Sequence, residues 1–116
     1  MVTLGGMNER ERRIGRNEAL FREVNERVEH LNQSFDVADE PMELLCECGD
    51  DRCFEKIEVT REEYDRVRST PTLFALVAGH ESPDVEEIVD ENDRFLTVRK
   101  RTGAPARLAT ELDPRS

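Results

Sequence analysis

Met42-Glu43-Leu44-Leu45-Cys46-Glu47-Cys48-Gly49-Asp50-Asp51-Arg52-Cys53-Phe54-Glu55-Lys56-Ile57-Glu58-Val59 is the stretch on which the fold turns. Met42 to Cys48 is a short apolar run suited to a strand, and Gly49-Asp50-Asp51 is a turn signal. From Phe54 the residues Phe54, Lys56 and Glu58 alternate with Glu55, Ile57 and Val59, the two-residue period of a second strand. Two strands around a turn predict a hairpin. Cys46, Cys48 and Cys53 form a C-x-C-x4-C cluster on it. In a strand, residues i and i+2 face the same side, so Cys46 and Cys48 can present both sulfurs to one point. Gly49 lets the chain reverse, and the four-residue spacer returns Cys53 to that side.

Three thiolates at one point are most of a tetrahedral metal site, and Zn²⁺ needs a fourth N, S or O ligand. The chain has two histidines. His80 follows Gly79 at the end of a predicted strand, where a bend can aim its imidazole at the hairpin. His30 sits on a predicted helix, off the apolar stripe. The expected ligand set is therefore Cys46, Cys48, Cys53 and His80. The plain alternative, three free thiols in a core, does not account for three cysteines falling beside one turn. An odd cysteine count argues against a secreted disulfide framework. With no fourth cysteine, zinc is favoured over iron in a cluster. Glu47, Asp50, Asp51 and Glu55 disfavour an unliganded thiolate, an effect that a bound dication reverses. A thiol–zinc redox switch is the alternative reading of the same cluster.

Outward from the hairpin, Asn8 to Asn32 carries the strongest helical pattern. Asn8 with Glu11 fits a capping pair. Ile14, Phe21, Val28 and Phe35 recur every seven residues, with Val24 and Leu31 between them, as one apolar stripe. Glu18–Arg22 and Glu23–Arg27 are i,i+4 pairs assigned to the opposite, solvated side. Phe21, Val24, Val28 and Leu31 are the candidate contact residues for the domain's own sheet, a homodimer or a protein partner. Gln33 to Pro41 reads as a polar linker.

Past the hairpin, Thr60 and Glu63 form a capping box and Val59 with Tyr64 the hydrophobic staple. They open a helix over about Arg61 to Arg68, which must stop before Pro71. Leu73 to Ala78 reads as a strand. Ser82-Pro83 reads as the start of a third helix carrying Val85, Ile88 and Val89 on one face. Phe95 to Lys100 alternates as a further strand. The expected fold class is α+β: a long N-terminal helix, a small, mainly antiparallel sheet with a Cys-rich zinc hairpin, and two short helices. Residues 8–101 are expected to form one domain, with Met1 to Met7 a disordered leader and residues 102–116 a flexible polar tail.

The 116 residues carry a net charge of −10, and the excess is local: residues 36–58 hold two basic and nine acidic side chains, net −7. Such a chain is a poor general binder of nucleic acid or anionic membrane. No stretch approaches about 18 apolar residues, so no membrane span is expected. The leader lacks the basic and apolar regions of a secretory signal, and the expected location is cytoplasmic. There is no phosphate-cradling Gly-rich loop and no Ser/His/Asp order. His80-Glu81 is adjacent, without the H-x-E and C-x-x-C of zinc deaminases. Three cysteines and a histidine would close the metal shell, leaving no position for a reacting water. No catalytic residues are assigned, and an enzyme is not expected.

Asn17 to Arg27, Cys46-Glu47-Cys48 with Cys53, Thr60 to Arg68 and Gly79-His80-Glu81 together resemble a group of small proteins of GC-rich, actinobacteria-like bacteria. These pair an N-terminal helix with a C-E-C…C hairpin and a later G-H-E. The resemblance spans Asn17 to about Lys100. It implies His80 as the partner of the three cysteines and implies no activity. The reading that emerges is a structural-zinc interaction or regulatory module.

Overall fold

The computed structural model describes residues 9–34, 41–50, 52–113 and 115. The leader, the Asn8 cap, Phe35, most of the 33–41 linker and Asp51 lie outside them. In order the elements are α1 (Glu9–Ser34), β1 (Met42–Leu45), β2 (Lys56–Val59), α2 (Arg61–Arg68), β3 (Leu73–Leu76), β4 (Glu86–Glu91), β5 (Leu96–Lys100) and α3 (Ala104–Glu111). The fold is α+β, with a long first helix, small antiparallel sheets and short helices.

The expected single sheet is two. β1 and β2 form an antiparallel hairpin, with Met42 opposite Val59 and Leu45 opposite Lys56. β3, β5 and β4 form a second antiparallel sheet in the order β3-β5-β4. Glu47 joins them by two hydrogen bonds. The Glu47 N–H donates to the Ala75 carbonyl at 3.0 Å, and the Ala75 N–H donates back to the Glu47 carboxylate at 3.1 Å. A side chain thus supplies the acceptor that a neighbouring backbone would supply in a continuous ladder.

Asn25 does the same for β1. Its Nδ2 donates to the Leu45 carbonyl and its Oδ1 accepts from the Leu45 N–H. This fixes the register of α1 against the hairpin. Two apolar clusters fill the interior. Met42, Leu44, Ile57, Val59, Tyr64 and Val67 belong to one; the three cysteines, Phe74, Leu76, Leu96 and Val98 belong to the other.

The capping box at α2 forms as expected. Thr60 Oγ1 accepts from the Glu63 N–H, and the Glu63 carboxylate accepts from the Thr60 N–H. Val59 and Tyr64 are fully buried in the same cluster. Both pairings are local, which is why the sequence reveals them.

Three further expectations are corrected. The segment read as a third helix is strand β4, paired with β5. Only one helical turn forms, with Val85 and Glu86 both donating to the Ser82 carbonyl. Val85 is buried, whereas Ile88 and Val89 are exposed. The i, i+3, i+4 spacing of these three residues imitates a helix face. Pairing with β5 through the Asn92 turn outweighs it, as tertiary context does for short segments.

The second correction is the polar tail, which contains α3. Gly103 with φ +101 and a proline in the first turn start this helix, a signature that Gly103-Ala104-Pro105 carried. Leu108 packs so close to α1 that a Cβ on Gly15 would lie 2.4 Å from its methyl carbon. Gly15 is therefore where α3 docks on α1.

The third correction is the buried face of α1. Phe21 is buried and Val28 packs against the core, but Val24 and Leu31 face outward, Leu31 at 60% exposure. The pair assigned to solvent, Glu18 and Arg22, is fully buried. Arg22 donates to the carbonyls of Pro71 and Leu73 and lies 3.6 Å over the Phe74 ring. Glu18 faces Lys100. The Glu23–Arg27 pair is exposed as expected.

Candidate metal centre

The hairpin is held in shape beyond its last ladder pair. The Cys46 N–H donates to the Glu55 carbonyl at 2.9 Å, and the Cys53 N–H closes the turn on the Asp50 carbonyl. Between them Gly49 takes φ +83, which L side chains adopt only with strain. α1 also crosses directly over it: a Cβ there would stand 2.6 Å from the Ile14 methyl and 2.9 Å from the Ile14 carbonyl oxygen. Asn17 secures the approach by donating to the Gly49 carbonyl.

Gly49→Ala should therefore cost more than backbone strain alone, about 2–3 kcal/mol. Gly79 has a similar φ of +91 but nothing within 4 Å of an added Cβ, so Gly79→Ala should cost only about 1 kcal/mol. Thermal denaturation of the two variants checks the contrast.

The turn brings the three sulfurs together, and the bend after β3 delivers the fourth group. The His80 N–H donates to the Val77 carbonyl, which turns the chain back over the hairpin. The donor atoms of Cys46, Cys48, Cys53 and His80 all lie within 4.8 Å of one another, and this is the one such group found among the described residues. His80 Nδ1 stands 3.6 Å from the sulfur of Cys46 and 3.6 Å from that of Cys53. Metal–sulfur and metal–nitrogen bonds of about 2.3 and 2.0 Å at a tetrahedral angle set an N···S separation of about 3.5 Å. The four residues can hold a metal ion in that geometry. His30 is on the exposed surface of α1 and is not in the group.

The cysteines form no disulfide, and all three are buried. A hydrogen bond between Cys46 and Cys48 pushes the Cys46 thiol up and pulls the Cys48 thiol down, to about 5. Burial pushes Cys53 up. Crowded thiols thus compete for protons, and a cation would relieve that competition. The Val77 N–H also donates to the Cys46 sulfur at 3.2 Å, a bond that favours thiolate.

The acidic surroundings differ from expectation. Glu47 does not face the sulfurs. Its fully buried carboxylate accepts from Asn25, from the Tyr64 hydroxyl at 2.8 Å and from the Ala75 N–H. It organises the core. Asp50 accepts from the Arg52 N–H in the turn. Among the described residues of this acidic group, Glu55 is the one that reaches the ligand set, with Oε2 2.9 Å from His80 Nε2; Asp51 lies outside the described residues. In the sequence Glu55 stands as one of four acidic residues around the cysteines. Its place two residues after Cys53 was the available signal.

Comparison of the chain with protein-family models, with curated proteins and with solved structures finds no match. No helix among the described residues is long and apolar enough to cross a membrane.

Proposed function

We propose that this chain is a zinc-binding domain whose Cys46/Cys48/Cys53/His80 centre is structural, and that it works as an interaction or regulatory module in the cytoplasm. One observation carries the reading: four soft and borderline donors converge within 4.8 Å, with two N···S separations of 3.6 Å. Thiolate and imidazole donors suit Zn²⁺ better than hard cations. A Cys3His set fills four positions, so the ion would brace the fold and have no place for a reacting water. It would tie the hairpin to the loop after β3, within the apolar cluster that the three cysteines share with Phe74, Leu76, Leu96 and Val98.

The outer face of α1 supports an interaction role. Leu20, Val24 and Leu31 are exposed there, Leu20 at 55%. Either a partner protein or a second copy of this chain would cover such a face. Nucleic acid fits poorly, since residues 36–58 carry −7. The low Cys48 thiol favours one second reading, a switch in which oxidation releases zinc as a disulfide forms.

Elemental analysis of purified protein, with thiol titration before and after peroxide, tests both readings. One zinc per chain with shielded, peroxide-resistant thiols is the expected result. Zinc leaving as thiols pair would select the switch, and three titratable thiols with no metal would overturn the proposal. His80→Ala should weaken metal retention strongly, and His30→Ala should leave it unchanged. The reverse pattern would reject His80 as the ligand.

A further inference from the structure

Which nitrogen of His80 faces the sulfurs is settled by contacts on both sides of the ring. Nδ1 is 3.6 Å from two of the sulfurs. Nε2 points the other way, to Glu55 Oε2 at 2.9 Å. In a neutral imidazole one nitrogen carries the proton and the other offers a lone pair. A carboxylate on Nε2 holds the proton there and leaves the Nδ1 lone pair free.

Glu55 is well placed to do this. Its backbone carbonyl receives the Cys46 N–H, so its main chain is fixed to the strand that supplies one ligand. It follows Cys53, a second ligand, by two residues. Its side chain contacts the third ligand residue, which lies on a different loop. One residue thus ties three ligand positions to a common frame. Its side chain is 62% exposed, so no packing role accounts for the contact.

From this arrangement we infer that Glu55 is a positioning residue of the metal centre. It accepts the Nε2–H of His80, presents Nδ1 to the ion, and raises the affinity of the site for a tetrahedral divalent metal. The inference rests on the metal-binding reading above. Carboxylates that hold ligand histidines in this way contribute roughly 10–100-fold to metal affinity.

The test uses the full chain, Zn²⁺ as the probe and a chromophoric chelator as competitor. It compares wild type, Glu55→Ala and Glu55→Gln. Glu55→Ala should bind zinc about 10–100-fold more weakly. Glu55→Gln keeps an acceptor oxygen and should recover much of the loss. Circular dichroism of the zinc-saturated variants should match wild type. Imidazole nitrogen NMR of the zinc-loaded proteins should show His80 metallated at Nδ1 and protonated at Nε2 in wild type, with the Nε2–H resonance moved and its exchange with solvent faster in Glu55→Ala, a change that a merely structural Glu55 would not produce. Wild-type affinity in Glu55→Ala, or His80 bound through Nε2, would overturn the inference while leaving the metal site standing. A wild-type protein that binds no zinc would instead remove the metal-binding reading itself.

Discussion

Cys48→Ser is expected to empty the metal centre and lower stability by more than about 3 kcal/mol, because the binding energy of a structural zinc is folding energy. Cys48 is buried in the same apolar cluster as Cys46, Phe74, Leu76 and Val98. A serine there is nearly isosteric, so lost packing contributes little. What disappears is a thiolate ligand, and a hydroxyl does not replace it at neutral pH. The remaining thiols would then face one another without a cation. The effect should extend past the hairpin, because Cys46 also accepts the Val77 N–H and so links the hairpin to the end of β3. Metal content and a thermal melt of wild type, variant and chelator-treated wild type check this. The variant should melt with the chelated protein. A melt that matches the untreated wild type would exclude a structural metal.

The second large effect should come from Lys100. Its ammonium lies 2.6 Å from Glu18 Oε1 and 2.9 Å from Glu86 Oε1, and all three side chains are buried. It is the cation shared by α1, β4 and β5. Burial pulls the ammonium down, but the two carboxylates more than offset this and hold it charged. Lys100→Met keeps the length of the side chain and removes the charge. The Glu86 carboxylate is then left buried without its cation, beside a Glu18 carboxyl that burial already keeps largely protonated at neutral pH, and stranding a buried charge in this way costs roughly 3–5 kcal/mol. Denaturant unfolding at neutral pH measures it, and a loss below about 1 kcal/mol would contradict the assignment of Lys100 as the shared counter-charge.

Glu18 gives the same cluster a pH dependence. Burial raises its carboxyl to about 8, against the pull of Lys100 and with a further push from Glu86. A carboxyl raised in the folded state favours folding most fully below its ordinary value of 4.5. That contribution is lost as pH rises toward about 8, because the unfolded chain releases its proton first. Glu18→Gln mimics the protonated form, so the difference in stability between wild type and variant should shift by a few kcal/mol toward the variant between pH 5 and 8.5. Glu63 works in the opposite sense and in another window: bonding from Arg94 lowers its carboxyl to about 2, so its contribution is lost only as pH falls below about 4.5. A flat difference between wild type and Glu18→Gln across pH 5–8.5 would show that Glu18 is ionised in the folded protein.

What was legible in the sequence was local. The capping box of Thr60 and Glu63, the staple of Val59 and Tyr64, the turn at Gly49 and the convergence of three cysteines each involve residues within a few positions of one another. Their geometry follows from helix and strand periods alone. The position of His80 after Gly79 was enough to prefer it over His30, because a chain reversal at the end of a strand narrows where the next side chain can go.

Tertiary structure alone decided the rest. A glutamate–arginine pair on a helix looks solvated until partners arrive from far along the chain. Lys100 arrives for Glu18, and Phe74 with two backbone carbonyls arrives for Arg22. The same holds for Glu47, which joins the two sheets through Ala75, and for Glu55, which meets His80 only once two loops are brought together. Whether residues 86–91 form a helix face or a strand depended on whether β5 lay beside them. Burial of charge costs energy unless a partner is present, so no local pattern can announce it. Short-range rules placed the sulfurs beside one turn, whereas long-range partners determined which charges are buried and brought His80 and Glu55 to the same point.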